Sequence, residues 1–217
     1  ALFREMSPAL CDALLGTTNA ARILRDLADA NLFTIPLDAD GAWYQYHQIF
    51  REFLVAEFER TDPAGYRSLY LRQARLMAER GDWRTAVEGY VQARAYDQAA
   101  EALAIIAQES FGSGQWEQLK TWIDALPAEV LAEYPPLLLF RAKVHTEAGE
   151  LRQSAALLEE CRRACVQRQD DIGAARALTQ VAVVHRYRGN LQEAIATGSE
   201  ALRLGRDHDP LTAVQAS

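Results

Sequence analysis

The sequence predicts a mainly α protein made of two unlike parts. Residues 1–62 combine helical patterns with one short β-hairpin, whereas residues 63–217 repeat a glycine-marked pattern that is typical of paired antiparallel helices. The composition is that of a folded globular chain, because 49% of the 217 residues are apolar and 24% are charged. We therefore expect a small domain carrying a hairpin, followed by a superhelix of stacked α-hairpins.

Two helical patterns open the first part. The segment SPALCDALLG predicts a short helix, because Ser7 is a good N-cap, Pro8 suits the first turn and Gly16 ends the helix. The segment NAARILRDLADANL follows, with apolar residues such as Ile23 and Leu27 at helical spacing.

A β-hairpin is predicted next. The runs FTIPL and WYQYH are rich in β-prone residues and flank DADGA, which contains an Asp-Gly turn signal. Strict alternation would place Trp43, Gln45 and His47 on one face of the hairpin. Tyr44 and Tyr46 would then lie on the other face.

A third helix is predicted for the run IFREFLVAEFER, whose apolar residues follow a helical period. These residues are Ile49, Phe50, Phe53, Leu54 and Phe58. The order helix, helix, hairpin, helix is that of a winged-helix domain. Whether a first element lies upstream of residue 1 is left open.

The second part contains four stretches that open alike. They are GDWRTAVEGY from residue 81, GQWEQLKTWI from 114, GELRQSAALL from 149 and GNLQEAIATG from 189. Each glycine can end one helix with a positive φ, so that a second helix returns beside it. One such hairpin cannot bury its apolar stripe alone, and stacking several hairpins does so.

These units resemble tetratricopeptide repeats, whose period is near 34 residues. The resemblance covers roughly residues 64–206, and the middle unit departs from it because Leu119 replaces a small residue. The prolines in LPAEVLAEYPP predict a structured connection between hairpins, with a new helix beginning at Pro136.

Several conspicuous residues of the repeats are predicted to pack rather than to react. Cys161 and Cys165 share one helix face in slots for small residues, and His145 and His185 occupy one repeat position. The aromatic anchors are expected to be Trp83, Trp116 and Trp122. The spacings suggest no zinc site, and we expect no metal.

Charge argues against binding of duplex DNA by this fragment. The net charge is −7 over the whole chain. Residues 1–60 contain five arginines and nine aspartates and glutamates. Phosphate neutralisation by basic residues supplies most non-specific affinity for DNA, so a winged helix that packs on protein is the better hypothesis.

The sequence lacks the patterns that are typical of membrane proteins, secreted proteins and enzymes. The sequence contains no apolar run long enough for a membrane span and no signal-peptide pattern, so we expect a cytoplasmic protein without a membrane partner. It lacks the motifs GxSxG, HExxH and GxGxxG and the phosphate loop GxxxxGK[ST], and we expect it not to be an enzyme. It does not begin with Met, and we expect it to be a piece of a longer chain.

The stretch ANLFTIPLDADGAWYQYHQIFREFL resembles the winged helix of MalT-like regulators. These are LuxR-type transcriptional activators built on a nucleotide-switched ATPase of the STAND class. The matching positions are Asn31, Leu32, Phe33, Gly41, Trp43, Tyr44, Tyr46, His47, Phe50, Phe53 and Leu54. Helical repeats follow the winged helix in that family, so the resemblance spans nearly the whole chain.

The resemblance implies a role for His47. In related switch ATPases, a histidine at the start of the helix after the wing contacts the phosphates of ADP held by the neighbouring nucleotide domain. His47 matches that position, although Gln48 departs from the Asp that follows the histidine in many relatives. The alternative is that His47 only ends the hairpin and satisfies a local carbonyl.

The sequence therefore supports two hypotheses for the function of this chain. The first is a regulatory, signal-transducing fragment of a MalT-like activator that couples nucleotide-dependent autoinhibition to the sensing of an inducer or partner protein. The resemblance then implies ATP or ADP in the full-length protein, and the nucleotide-binding domain of the same chain as a partner. The second is a tetratricopeptide-type scaffold for protein–protein interaction.

Overall fold

Helices dominate the structure, a computed structural model that describes residues 1–206. In chain order the elements are α1 Pro8–Leu15, α2 Ala20–Asp29, β1 Thr34–Pro36, β2 Tyr44–Tyr46, α3 Gln48–Thr61, α4 Pro63–Glu79, α5 Trp83–Gln92, α6 Tyr96–Gly112, α7 Trp116–Asp124, α8 Ala128–Glu133, α9 Pro135–Glu147, α10 Leu151–Gln167, α11 Asp171–Tyr187 and α12 Leu191–Arg206. The predicted mainly α fold with one β-hairpin is confirmed. The end of the predicted repeat region, residues 207–217, lies outside the described residues.

The contacts divide the chain into two compact units, Ala1–Ala95 and Tyr96–Ser217. The first unit contains the hairpin domain and the α4–α5 helix pair. The boundary predicted at residue 62 falls between α3 and α4, and it stays a prediction. None of the helices within residues 1–206 combines the length and the hydropathy needed to cross a membrane.

The first helix forms as its sequence predicts. The Oγ of Ser7 accepts a hydrogen bond from the backbone N–H of Leu10 at 3.2 Å, and Pro8 occupies the first turn. Gly16 ends the helix with a φ of 69°. This left-handed conformation is one that glycine adopts without steric cost.

The hairpin strands pair antiparallel, with Thr34 opposite Tyr46 and Pro36 opposite Tyr44. A further backbone segment joins them: Met6 and Tyr44 exchange two N–H to carbonyl hydrogen bonds, at 2.7 and 2.8 Å. The sequence did not predict this bridge. It anchors β2 from both sides, and Tyr44 is buried against the helices of the domain together with Leu10 and Leu24.

The four glycine turns of the repeats share one geometry. Gly81, Gly114, Gly149 and Gly189 have φ values between 75° and 79°. In every turn the residue after the glycine donates its N–H to the carbonyl five residues earlier, at 2.8 to 3.0 Å. This hydrogen bond satisfies a carbonyl of the last helical turn that has no partner within the helix. The second helix begins one residue later. The predicted α-hairpins are therefore confirmed.

The second unit buries the apolar stripes between neighbouring hairpins. Its helix pairs are α6–α7, α9–α10 and α11–α12, and α9 also packs on α6 and α11. The largest fully buried apolar side chains of the unit are Leu103, Leu119, Ile123, Leu137, Leu138, Leu158 and Val184. This unit has the layered packing expected of stacked helical repeats.

The connection between α7 and α9 contains a short helix of its own, α8. The helix that follows begins at Pro135 rather than at the predicted Pro136. Both prolines fit the first turn, where no intrahelical N–H bond is lost, and Tyr134 has the extended backbone that a residue before proline prefers.

Candidate docking surface

The two faces of the hairpin differ sharply in exposure. Ile35 lies opposite Gln45 in the ladder, and the N–H of Leu37 bonds to the carbonyl of Trp43 at 2.9 Å, so these four residues share one face. Tyr44 points to the opposite face and is only 3% exposed. The predicted alternation is confirmed, and the face that carries Trp43 is the solvent-facing one.

Six large apolar side chains of the hairpin and the neighbouring helix are exposed. We name this set the wing surface: Phe33, Ile35, Leu37, Trp43, Ile49 and Phe53. Their exposed fractions range from 41% at Leu37 to 72% at Ile49. Contiguous exposed apolar groups on a folded domain mark sites of protein or ligand binding more often than chance surface composition does.

Helix α3 contributes to this exposure. The helix itself is confirmed, but no residue of α3 is buried, although its apolar residues follow the predicted stripe. Periodicity identifies an apolar face without identifying what covers it. Within the described residues, that face is only partly covered.

Phe50 contacts two members of the wing surface, Phe33 and Phe53. Its ring centroid lies 4.8 Å from that of Phe33, 5.7 Å from that of Tyr46 and 6.5 Å from that of Phe53. Aromatic pairs at such distances and tilts stabilise a fixed arrangement. These contacts restrict the orientations of the exposed rings of Phe33 and Phe53.

His47 lies at the junction of this hairpin face and α3. Its backbone N–H donates to the carbonyl of Phe33 at 2.9 Å, and its carbonyl accepts from Arg51 at the same distance. The side chain is exposed and makes no capping hydrogen bond to α3. The main chain thus satisfies the local carbonyl, and the imidazole remains available to a group from outside the domain.

Ion pairs involve part of the positive charge of this domain. Arg22 and Asp26 on α2 lie 3.9 Å apart, and Arg60 and Glu57 on α3 form an ion pair at 2.6 Å. Two of the five arginines in residues 1–60 are thereby paired with carboxylates.

The structure places the remaining candidate residues of the repeats in packing roles. Cys161 and Cys165 are both 1% exposed, and the Sγ of Cys161 donates to the carbonyl of Pro135 at 3.2 Å. His145 is buried and its Nδ1 contacts the carboxylate of Glu150 across the glycine turn. His185 occupies the same repeat position, and its Nδ1 is buried without a hydrogen-bond partner.

The three predicted tryptophan anchors differ. Trp122 is 4% exposed, in agreement with the prediction, and Trp83 is half-buried. Trp116 is 37% exposed, which the repeat pattern did not predict. It instead closes its turn, because its indole N–H donates to the carbonyl of Phe111 at 3.0 Å and its ring stacks on the Phe111 ring.

Comparison with known families finds a similarity over the hairpin domain. Residues 1–66 match the family model described as the MalT winged helix domain. The resemblance predicted from the block W-Y-x-Y-H is thereby confirmed, and the wing surface lies within the matched residues.

Curated relatives extend the similarity into the repeats. The HTH-type transcriptional regulator MalT of Vibrio parahaemolyticus is 27% identical over 148 residues, 68% of this chain and 16% of the relative. Its namesake from Vibrio cholerae is 25% identical over 150 residues, 69% of this chain and 17% of the relative. The chain therefore spans about one sixth of the length of these MalT regulators.

The similarity is not confined to proteins named as transcriptional regulators. The serine/threonine-protein kinase PknK of Mycobacterium tuberculosis is 28% identical over 112 residues, which are 52% of this chain and 10% of the kinase. The part of this chain that resembles the kinase is 52% of its length. The part that resembles MalT of Vibrio parahaemolyticus is 68% of its length.

Two solved structures are similar to this chain at low identity. MamA has a TM-score of 0.47 and 16% identity over 85% of this chain and 95% of its own. BtubC from P. vanneervenii has a TM-score of 0.47 and 12% identity over 93% of this chain and 76% of its own. At this level the likeness carries no conclusion about function.

Proposed function

We propose that the chain is a regulatory fragment of a MalT-like transcriptional activator. In this proposal, the winged helix docks on the nucleotide-binding domain of the same protein, and the repeats sense an inducer or a partner protein. One observation carries it: an unbonded imidazole and six exposed apolar side chains lie on one hairpin and its adjoining helix, in an acidic domain.

The wing surface supports docking on protein rather than on nucleic acid. Leaving Phe53 and Ile49 more than half exposed forgoes hydrophobic stabilisation of about 1 to 2 kcal/mol for each side chain. A partner that covers both groups recovers this free energy. The net charge of −4 in residues 1–60 opposes a phosphate backbone but does not oppose an apolar protein surface.

His47 would supply the polar contact of the docked state. An imidazole N–H that faces a phosphate of ADP makes a charge-assisted hydrogen bond, which is stronger than a neutral one. ADP bound in the nucleotide domain would then favour the docked, inactive form. An inducer shifts such an equilibrium only by its difference in affinity for the two forms.

The kinase relative supports a regulatory rather than a catalytic role for these residues. A segment that resembles parts of both a transcriptional regulator and a kinase suits a control module that can be joined to different output domains. We accordingly assign no reaction to this chain.

The test substitutes His47 in the longer protein. His47→Ala is expected to weaken retention of ADP by about tenfold and to raise basal transcription, because one charge-assisted hydrogen bond contributes roughly 1.5 kcal/mol. Gln45→Ala is the matched control, since Gln45 lies on the same hairpin face two residues away. Equal ADP retention in all three proteins would remove His47 from the mechanism.

Docking itself is tested through the apolar groups. Phe53→Ser is expected to raise basal transcription as His47→Ala does, because it removes apolar area from the docked interface. The 217-residue chain should also give no gel shift with duplex DNA at physiological salt. A tight, salt-sensitive shift would favour a DNA-binding winged helix instead.

A further inference from the structure

A cleft of about 1280 Å³ lies in the first compact unit, between α3 and the α4–α5 pair. All of its lining residues belong to the Ala1–Ala95 unit. Three helices line it, each through residues three or four positions apart, which share one helix face. Examples are Val55 and Glu59 on α3, Tyr70 and Gln73 on α4, and Glu88 and Gly89 on α5.

Gln73 brings a buried acceptor without a donor to the lining of this cleft. The residue is 3% exposed, and its Oε1 makes no hydrogen bond within residues 1–206. The oxygen lies beside α5, because a Cβ atom built on Gly89 would stand 3.2 Å from it. A buried carbonyl oxygen without a partner is destabilising, and a donor from another molecule would remove that cost.

The charges that line the cleft are predominantly negative. They comprise five carboxylates and three arginines. None of these eight groups takes part in an ion pair within residues 1–206. Glu59 and Glu88 lie on different walls, one on α3 and the other on α5. A cation between these walls is attracted by both carboxylates.

Two tyrosines give the cleft an aromatic part. The ring centroids of Tyr66 and Tyr70 lie 4.6 Å apart, and the hydroxyl of Tyr66 donates to Oε1 of Gln92 at 2.8 Å. Tyr70 and Gln73 stand three residues apart on α4, so they are neighbours on one helix face. A cation that reaches the oxygen of Gln73 therefore lies near an aromatic ring, which also attracts it.

We propose that this cleft binds a peptide segment of a partner protein through an arginine side chain of that segment. The guanidinium donates a hydrogen bond to Oε1 of Gln73 and stacks on the ring of Tyr70. The carboxylates of Glu59 and Glu88 balance its charge. The terminal amide of Gln73 turns toward the guanidinium about its last torsion, which has a broad energy minimum. Arginine suits the site because its planar group both donates and stacks.

A peptide segment fits the cleft better than a free amine does. Sites for small ligands measure roughly 300 to 1,000 Å³ and enclose most of the ligand. This cleft is larger, and α4 alone lines it from Tyr66 to Met77. That stretch is about three helical turns, or roughly 16 Å. A second copy of this chain is a poor occupant, because two chains of net charge −7 repel each other.

The cleft deepens the proposed function, because α4 and α5 belong to the repeats to which partner sensing was assigned, and its biological meaning rests on that proposal. Trp43 and His47 also line the cleft. A bound segment that reaches them competes with docking of the wing surface on the nucleotide domain. The two proposals can fail separately, since peptide binding is measured without nucleotide, whereas docking is tested by His47→Ala in the longer protein.

The experiment titrates three probes into the 217-residue chain. They are acetyl-Leu-Arg-Leu-amide, the same peptide with uncharged citrulline in place of arginine, and agmatine, which is a free guanidinium cation. Calorimetry and the side-chain amide NMR signals of Gln73 follow the binding. We expect saturable binding of the arginine peptide at concentrations up to about 10 mM, with the citrulline peptide and agmatine each at least about tenfold weaker.

Variants locate the binding. Glu88→Gln is expected to weaken binding of the arginine peptide about fivefold, because it removes one nearby charge from an exposed residue without changing its size. Glu79→Gln is the matched control, since Glu79 is an exposed carboxylate of α4 outside the cleft. Equal affinity of these two variants would overturn the proposal.

Gln73→Leu separates a binding role from a packing role. It removes the unpaired oxygen at similar size, so the midpoint of denaturant unfolding should stay unchanged or rise, whereas peptide binding should weaken about tenfold. A lower midpoint would show that the oxygen is bonded within the chain, and it would contradict the proposal. So would unchanged peptide affinity, absence of binding by the arginine peptide, or equal binding of the citrulline peptide or of agmatine.

Discussion

Gly89 on α5 lies directly against Ala74 on α4. A Cβ atom on Gly89 would stand 3.0 Å from the Cβ and 3.3 Å from the Cα of Ala74. Both distances are shorter than ordinary van der Waals contact, and the Cα of Ala74 cannot move without moving α4. The close approach of the two helices therefore depends on the absence of a side chain at residue 89.

Gly89→Ala is expected to destabilise the first unit by about 1 kcal/mol, because overpacking outweighs the gain in helix propensity. Gly198 in α12 is the matched control. Its nearest neighbour, the Cβ of Ala182, would be 3.9 Å away, so Gly198→Ala should stabilise its helix by up to about 1 kcal/mol. Hydrogen exchange of the amides in α5 and α12 measures both changes, and two shifts of the same sign would contradict the argument.

The turn at Gly149 depends on backbone conformation alone. Its φ is 75°, and a Cβ there would meet no atom within 4 Å. Gly149→Ala is therefore expected to cost roughly 1 to 2 kcal/mol, from the left-handed backbone and not from a clash. Gly149→Asn should cost clearly less, since Asn tolerates this conformation. Denaturant titration compares the two variants, and equal losses would point to a steric cause.

Trp122 and Trp116 are expected to respond differently to truncation. Trp122 is buried, so Trp122→Ala should cost about 3 to 5 kcal/mol. Trp116 keeps one hydrogen bond and one ring contact at the surface, so Trp116→Ala should cost roughly 1 to 2 kcal/mol. The midpoints of denaturant unfolding test this order, provided that the free energy of unfolding of the two variants depends equally on denaturant concentration.

Alkaline pH should act through Cys161. Burial raises the pKa of this thiol to about 12 from its ordinary value of 9.0. Below pH 9 the thiol is neutral in both the folded and the unfolded chain. Above pH 9 only the unfolded chain ionises it, so the free energy of unfolding falls by about 1.4 kcal/mol per pH unit until the folded thiol also ionises.

Cys161→Ser isolates this contribution, because a serine hydroxyl does not titrate in this range. The wild-type chain should lose about 1.4 kcal/mol more than the variant between pH 8 and pH 10. Unfolding by denaturant at the two pH values supplies the comparison. Parallel losses in the two proteins would assign the alkaline sensitivity to other groups.

The features that the sequence predicted are those with local causes. Gly81 and its three counterparts end helices because they adopt positive φ, and Ser7 caps α1 through a neighbour three residues away. The hairpin faces follow from alternation, which depends only on strand geometry. These causes act within a few residues, so a sequence pattern is sufficient to find them.

The features that were missed depend on distant neighbours. The apolar stripe of α3 does not reveal that Ile49 stays exposed, because periodicity says nothing about the covering partner. The bridge from Met6 to Tyr44 joins two segments that lie far apart along the chain. No spacing rule along the chain could indicate them.

The uniform glycine turns have a consequence for divergence. Each turn makes its own backbone hydrogen bonds, so the geometry of the turn does not rely on particular side chains elsewhere. The four units differ at most positions, and yet their turns have the same backbone geometry. Lineages that preserve the glycines can therefore change the residues on the helix surfaces, and with them the molecules they recognise, while retaining the scaffold.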